Sequence, residues 1–353
     1  MKRPALILIG LFLFVGGSLI SGLLSGFYRL GLSLPEAQVY LHHGAIMTGS
    51  FLGTVILIER ITTMKMKWLY LFPIVNVSSI LLFWMDLFSV GYMALSIGSI
   101  GLVVVFYIII IKHADLPHRL MLVGAIAWLI GNLFLLLQSG YQSAILWWMA
   151  FLLITIVGER LELIRFLPIS KAKRYVLIGF LIFFLIGCWL PFHLGGKNLM
   201  GVMMLMVMIW LLLYDMVRKS IKHPGIHRYT AITLIGGYIW LGITGLLFIA
   251  DGSFTVPYDA LVHTFFLGFV FSMIFAHAPI ILPGILGLSY KFYHPSLYLW
   301  VVLLNVSLAF RLMSALLMLP EWKQWSGLAN GLVIMFFLLN VVLIRMLYRK
   351  KFI

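Results

Sequence analysis

Two adjacent imidazoles, His42 and His43, open the stretch LHHGAIMTGSFLGTVILIER (residues 41–60), which is otherwise apolar enough to cross a bilayer. A third, His263, stands near the start of a second such stretch in DALVHTFFLGF. His277 follows fourteen residues later, in SMIFAHAPIILPG. Imidazole nitrogens take protons, hydrogen-bond partners or metals, and in hydrocarbon each must be satisfied by one of these. If both stretches run inward from the same surface, His43 and His263 stand at one depth on separate helices. Axial ligation of a haem needs just such a pair, one nitrogen for each face of the macrocycle. Gly44, Gly49, Gly53 and Gly268 leave room beside them for a flat ring.

Consecutive helical residues point about 100° apart, so His42 and His43 do not face one iron. His43 shares a helical face with Met47, Ser50 and Thr54 and is the ligand candidate. His42 shares one with Ala45, Ile46 and Gly49, and is left for a neighbouring metal, a haem propionate or a structural bond. From His263 to His277, fourteen steps of about 100° return to within about 40° of the starting face, roughly 21 Å deeper. One helix thus presents two histidines at two depths, and His277 is a candidate for a second metal position. Pro279 and Pro283 then predict a broken or kinked helix end with freed carbonyls.

Arg311, in SLAFRLMSALL, is a guanidinium in an apolar run and needs an anion; Asp251, Asp259 or a haem propionate would serve. Glu59–Arg60 and Glu159–Arg160 read as interfacial ion pairs at helix ends. His113, His118, His223, His227 and His294 fall in or beside loops, where solvated histidine needs no ligand, and His193 in WLPFHLGGK lies at a helix end.

The elements that must position these groups are membrane helices. Of 353 residues, 63% are hydrophobic and only 10% charged, against about 25% charged in soluble domains. Twelve apolar segments of bilayer length lie near 4–28, 38–59, 68–88, 90–111, 119–138, 143–164, 174–192, 198–217, 229–250, 258–283, 296–318 and 326–347. The connections are short, so the expected fold is all-α, a single integral membrane domain over 1–353. The first segment resembles a signal peptide, but its apolar run is long and it reads as a retained helix. The net charge of +15 invites a nucleic-acid reading, which its distribution removes. Of 25 lysines and arginines, all but Arg29, Lys197, Lys323 and Arg311 fall on one side of the spans. That asymmetry is the positive-inside rule and puts both termini in the cytoplasm. The lone Cys188 excludes a disulfide framework. FLGTVILIER, LLITIVGER and FLGFVFSMIF, in segments 2, 6 and 10, hint at three four-helix repeats.

Taken together these stretches resemble the NnrS-type membrane proteins. LHHGAIMTGSF is similar to that family's histidine-rich entry to helix 2, although here the histidines are adjacent. IVGERLELIRF resembles its helix 6 stretch through Gly158 and Arg160, and HTFFLGFVFSMI its helix 10 through His263, Gly268 and Met273. The resemblance implies a twelve-helix protein of the inner membrane with haem b and copper, linked to nitric oxide tolerance. It also implies a distant likeness to the catalytic subunit of haem–copper oxidases. Here the helix 6 histidine and the helix 7 histidine pair of those oxidases are missing, and LPGILG stands where the family has a glycine–histidine stretch. An oxygen-reducing binuclear centre is therefore not expected.

Three functions follow as expectations. The first is a haem protein handling nitric oxide, with His43 and His263 as axial ligands and Arg311 beside the haem. The second is a transmembrane electron-transfer cytochrome b with two stacked haems. The third is a secondary transporter built from repeats and a broken helix 10; its weakness is the lack of a carboxylate at mid-membrane depth.

Overall fold

The computed structural model describes residues 5–138, 140–191, 194–251, 256–285, 288 and 292–351. His193, named above, lies outside them. Among the described residues the chain is all α, with no strand, and twelve helices are long and apolar enough to cross a membrane. They are α1 (Ala5–Arg29), α2 (38–62), α3 (Lys67–Trp84), α4 (Phe88–Lys112), α5 (Leu116–Gln138) and α6 (Tyr141–Leu163). The remainder are α7 (Lys171–Trp189), α8 (Gly196–Tyr214), α9 (Ile226–Ala250), α10 (Tyr258–Ile285), α11 (Leu297–Leu316) and α12 (Pro320–Lys351). Each coincides with one segment expected from hydropathy, the boundaries moving by a few residues. Most are apolar around the whole circumference, as helices that meet lipid or a protein core on every side must be.

The chain divides into two compact units, Met1–Glu159 and Arg160–Ile353. In the first, α3 packs along α4, α4 along α5, and α1 against α2 and α3. In the second, α9 packs on α8 and α10, α7 on α8, and α11 along α12.

Two helices depart from the α pattern. α2 opens as a 3-10 turn at Gln38–His42, widens into a π-helix over Ala45–Gly53 and only then becomes α-helical over Thr54–Thr62. α10 begins as an α-helix at Tyr258–His263, widens over Thr264–Val270 and resumes at Phe271–Ile285. A π turn stretches the carbonyl–amide ladder by one residue, so it survives where side chains satisfy the loosened groups. In α2 the Asn76 carboxamide of α3 donates to the Gly49 carbonyl at 2.9 Å and to Thr54 Oγ1 at 2.8 Å. Thr54 in turn donates to the Ser50 carbonyl at 2.7 Å. In α10, Thr264 donates to the Ala260 carbonyl at 2.7 Å and receives a 3.1 Å bond from Thr244 of α9.

The wide turns also seat close approaches. Gly53 lies against the Trp128 indole, and a Cβ on Gly268 would stand 2.5 Å from Trp240.

The C-terminal end of α10 is not broken. Pro279 and Pro283 both sit inside a helix that runs unbroken to Ile285. The carbonyls they deprive are taken up elsewhere: Phe275 O accepts from the Tyr229 hydroxyl at 3.0 Å, and Pro279 O from the Phe292 amide at 3.0 Å. The prolines freed these carbonyls as expected, but tertiary donors kept the helix whole.

Candidate histidine sites

His43 stands in the turn before the π segment of α2. Its Nδ1 lies 2.8 Å from the Gly22 carbonyl of α1. A carbonyl only accepts, so Nδ1 carries a proton. Gly26, one turn along α1, admits the ring: a Cβ there would lie 3.2 Å from the imidazole Cε1. Met47 reaches the same helix at Gly22. Ser50 and Thr54 do not share that face. They meet Ser79 and Asn76 of α3, because the π turn breaks the 3.6-residue period on which a single stripe depends.

His42 points into an aromatic box instead. Its Nδ1 is 2.6 Å from the Tyr92 hydroxyl and 3.1 Å from that of Tyr141. Its ring stacks on Phe83 (centroids 5.6 Å apart, planes 10° apart) and lies 4.2 Å from the Phe88 ring. Of the three roles open to it, the structural bond is the one observed.

His263 occupies the matching place before the π segment of α10. Its Nδ1 is 2.9 Å from the Asp259 carbonyl and 3.1 Å from Asp259 Oδ1, so this nitrogen too is the protonated one. Arg311 of α11, 7% exposed, takes the Asp259 carboxylate with both arms: Nε to Oδ2 at 3.1 Å and Nη2 to Oδ1 at 2.7 Å. Its anion is a protein carboxylate. Arg311 Nη2 is also 3.3 Å from each ring nitrogen of His263. Both ring nitrogens of His263 are thus within hydrogen-bond distance of Arg311.

Asp251, the other carboxylate considered for Arg311, is held by Lys197 Nζ at 2.5 Å and accepts the Val256 amide on Oδ1 at 2.8 Å. His43 belongs to the first unit, while His263 and Arg311 belong to the second.

His277 sits in a cluster that the sequence did not announce. Its Nδ1 donates to the Met273 carbonyl at 2.7 Å, and Arg160 Nη2 donates to its Nε2 at 2.9 Å. Arg160, 4% exposed, also faces Asp215 at 3.9 Å. Asp215 accepts from the Tyr238 hydroxyl at 2.9 Å and from the Val217 amide at 3.0 Å. Both nitrogens of His277 are thus engaged by protein groups. The same-face count from His263 does not carry through the π segment that separates them. The adjacent pair Glu159–Arg160 also divides: Glu159 takes Arg60, whereas Arg160 turns to His277 and Asp215. The sequence offers Arg160 as half of an interfacial ion pair and His277 as a metal position, and nothing in it brings Asp215 and Tyr238 to them.

Among the described residues, no three histidine, cysteine or carboxylate side chains converge as a metal-binding group. Against known proteins, the model of one family, described as Domain of unknown function (DUF8744), matches residues 7–346, nearly the whole chain. The chain belongs to this family. No curated protein and no solved structure matches it. The DUF8744 match spans all twelve helices, so it takes in the histidine-bearing turns of α2 and α10 together.

Proposed function

We propose that this DUF8744 protein is a multi-pass protein of the inner membrane, both termini cytoplasmic, that binds haem b, with His43 and His263 as candidate ligands each in its own unit, and handles nitric oxide or a related diatomic ligand. The supporting observation is a contact these histidines share: each holds Nδ1 against a main-chain carbonyl just before a π segment, the kind of contact by which proteins orient a metal-binding imidazole. Copper would need further ligands, and no three-ligand group exists among the described residues. Bound haem supplies diatomic binding at an open axial position, or one-electron transfer where both positions are held.

The chain's own residues have separate tasks in this reading. The Gly22 and Asp259 carbonyls fix the two ring orientations. Gly26 gives the His43 ring its space. Phe265 and Phe269, both fully buried after His263, keep water from the π segment. The two wide turns sit in helices 2 and 10, the second members of two of the three four-helix groups, and support a repeat origin.

The test is the absorption spectrum of the full chain, purified in detergent from haem-replete cells. A Soret band and a b-type pyridine haemochrome are expected. His263→Ala should abolish the band at unchanged elution volume, while His113→Ala retains it. A colourless wild-type protein refutes the proposal. It would then favour a transporter, for which the buried Arg160–Asp215–Tyr238–His277 cluster speaks, since ionisable groups inside membrane bundles mark ion pathways.

A further inference from the structure

We propose that the corner of the second unit where α7 begins and α8 ends is a docking surface for the phosphate headgroups of anionic lipids, in the leaflet at that end of the helices. This does not rest on the haem reading. Lys171, Lys173 and Arg174 open α7, and Arg218, Lys219 and Lys222 follow α8. All but the half-buried Arg174 are exposed. The fold brings the two groups together. The Trp210 N–H of α8 donates to the Lys173 carbonyl at 2.8 Å, and Lys173 Nζ lies 4.6 Å from the centre of the Tyr214 ring. Arg218 turns back over the same turn, its Nη1 donating to the Leu213 carbonyl at 2.9 Å. Cations from two elements thus stand on adjacent residues of one helix end.

Topology accounts for the sign of this charge but not for its isolation. From residue 163 to residue 250 the one acidic residue is Asp215. It is 2% exposed and taken up by Tyr238, the Val217 amide and Arg160. Among the described residues none of the six cations has an ion pair. The first unit differs. There Arg60, Lys65, Lys67, Lys112 and Arg119, on the same side of the spans, are interspersed with Glu59, Asp115 and Glu159, and Arg60 pairs with Glu159. The start of α7 adds to the field, because its first turn holds no acidic residue and its cations sit at the positive end of a helix dipole. An anion at that end offsets both. A lipid phosphate fits better than a soluble anion, since the cations stand beside amphipathic rings: Tyr175, next to Arg174, is 65% exposed, and Tyr214 lies under Lys173. Tyrosines at helix ends mark headgroup depth, and clustered lysine and arginine at that depth attract anionic headgroups.

The experiment titrates the purified full chain, in uncharged detergent, with a fluorescent phosphatidylglycerol and with a phosphatidylcholine carrying the same chains. Phosphatidylglycerol should bind about tenfold more tightly or better, and less tightly as salt rises. Lys173→Gln, Arg174→Gln and Arg218→Gln combined should weaken it about a hundredfold, at roughly fivefold per cation. Lys173→Gln alone, at an exposed position, should cost about fivefold and keeps the test decisive if the triple variant does not fold. The charge-keeping set Lys173→Arg, Arg174→Lys and Arg218→Lys should bind as the wild type does. Lys65→Gln, Lys67→Gln and Lys112→Gln combined, the same charge loss in the first unit, should leave binding close to wild type. Equal affinity for the two lipids, equal loss from the two glutamine sets, or loss from the charge-keeping set overturns the proposal. So does displacement of the lipid by an equal concentration of inorganic phosphate, which would mark a site for soluble anions.

Discussion

The first unit buries neutral polar groups; the second buries charges. Inside the first, Ser50, Thr54, Asn76 and Ser79 are linked by hydroxyl and amide hydrogen bonds, and Asn132 separately accepts from Trp148 at 3.0 Å. Among the described residues the buried charged side chains are Arg160, Lys197, Asp215, Asp251 and Arg311, all in the second unit. The histidines follow suit, since His43 has a carbonyl at Nδ1 and His263 a carbonyl, a carboxylate and a guanidinium around its ring. The helical device is common to both, a histidine just before a π segment. The lesson is that the same wide turn follows both imidazoles, while distant neighbours decide whether neutral or charged groups surround each ring.

The contrast predicts unequal costs. Arg160→Ala leaves Asp215 buried without its cation, and losing one partner of such a pair costs about 3–5 kcal/mol. Denaturant titration in detergent should show that loss as the largest of the series. In the first unit, Asn132→Leu strands the Trp148 N–H and removes the side-chain bond to the Leu95 carbonyl, at about 1–3 kcal/mol. Equal losses from the two variants would erase the distinction between ionic and neutral interiors.

Glycine substitutions sharpen the likeness instead. Gly53→Ala and Gly268→Ala drive a methyl into Trp128 and Trp240, and each should cost about 1–3 kcal/mol by overpacking. A π segment that tolerated its alanine freely would not be clamped as described. The smallest effect belongs to Gly179→Ala in α7, where a Cβ meets nothing within 4 Å. Alanine's better helix propensity should raise stability there by up to about 1 kcal/mol. A measurable loss would mean that α7 is packed more tightly than its open face indicates.

The sequence by itself determined the twelve helices, because a run of some twenty apolar residues cannot satisfy its backbone in any other local form away from water. It also singled out His43, His263, His277 and Arg311, since polar atoms in apolar runs are costly wherever the chain takes them. It left the partners of those atoms open. Arg311 had three candidate anions and found Asp259, fifty-two residues away, while Arg160 left its neighbour Glu159 for His277, 117 residues on. Nor did it show the π turns, which broke the face joining His43 to Ser50 and Thr54 and the phase joining His263 to His277. Only tertiary structure decided these points. A hydrophobic run specifies its own hydrogen bonds, but a wide turn, a proline-freed carbonyl or a buried charge is stable only when a distant residue arrives to complete it.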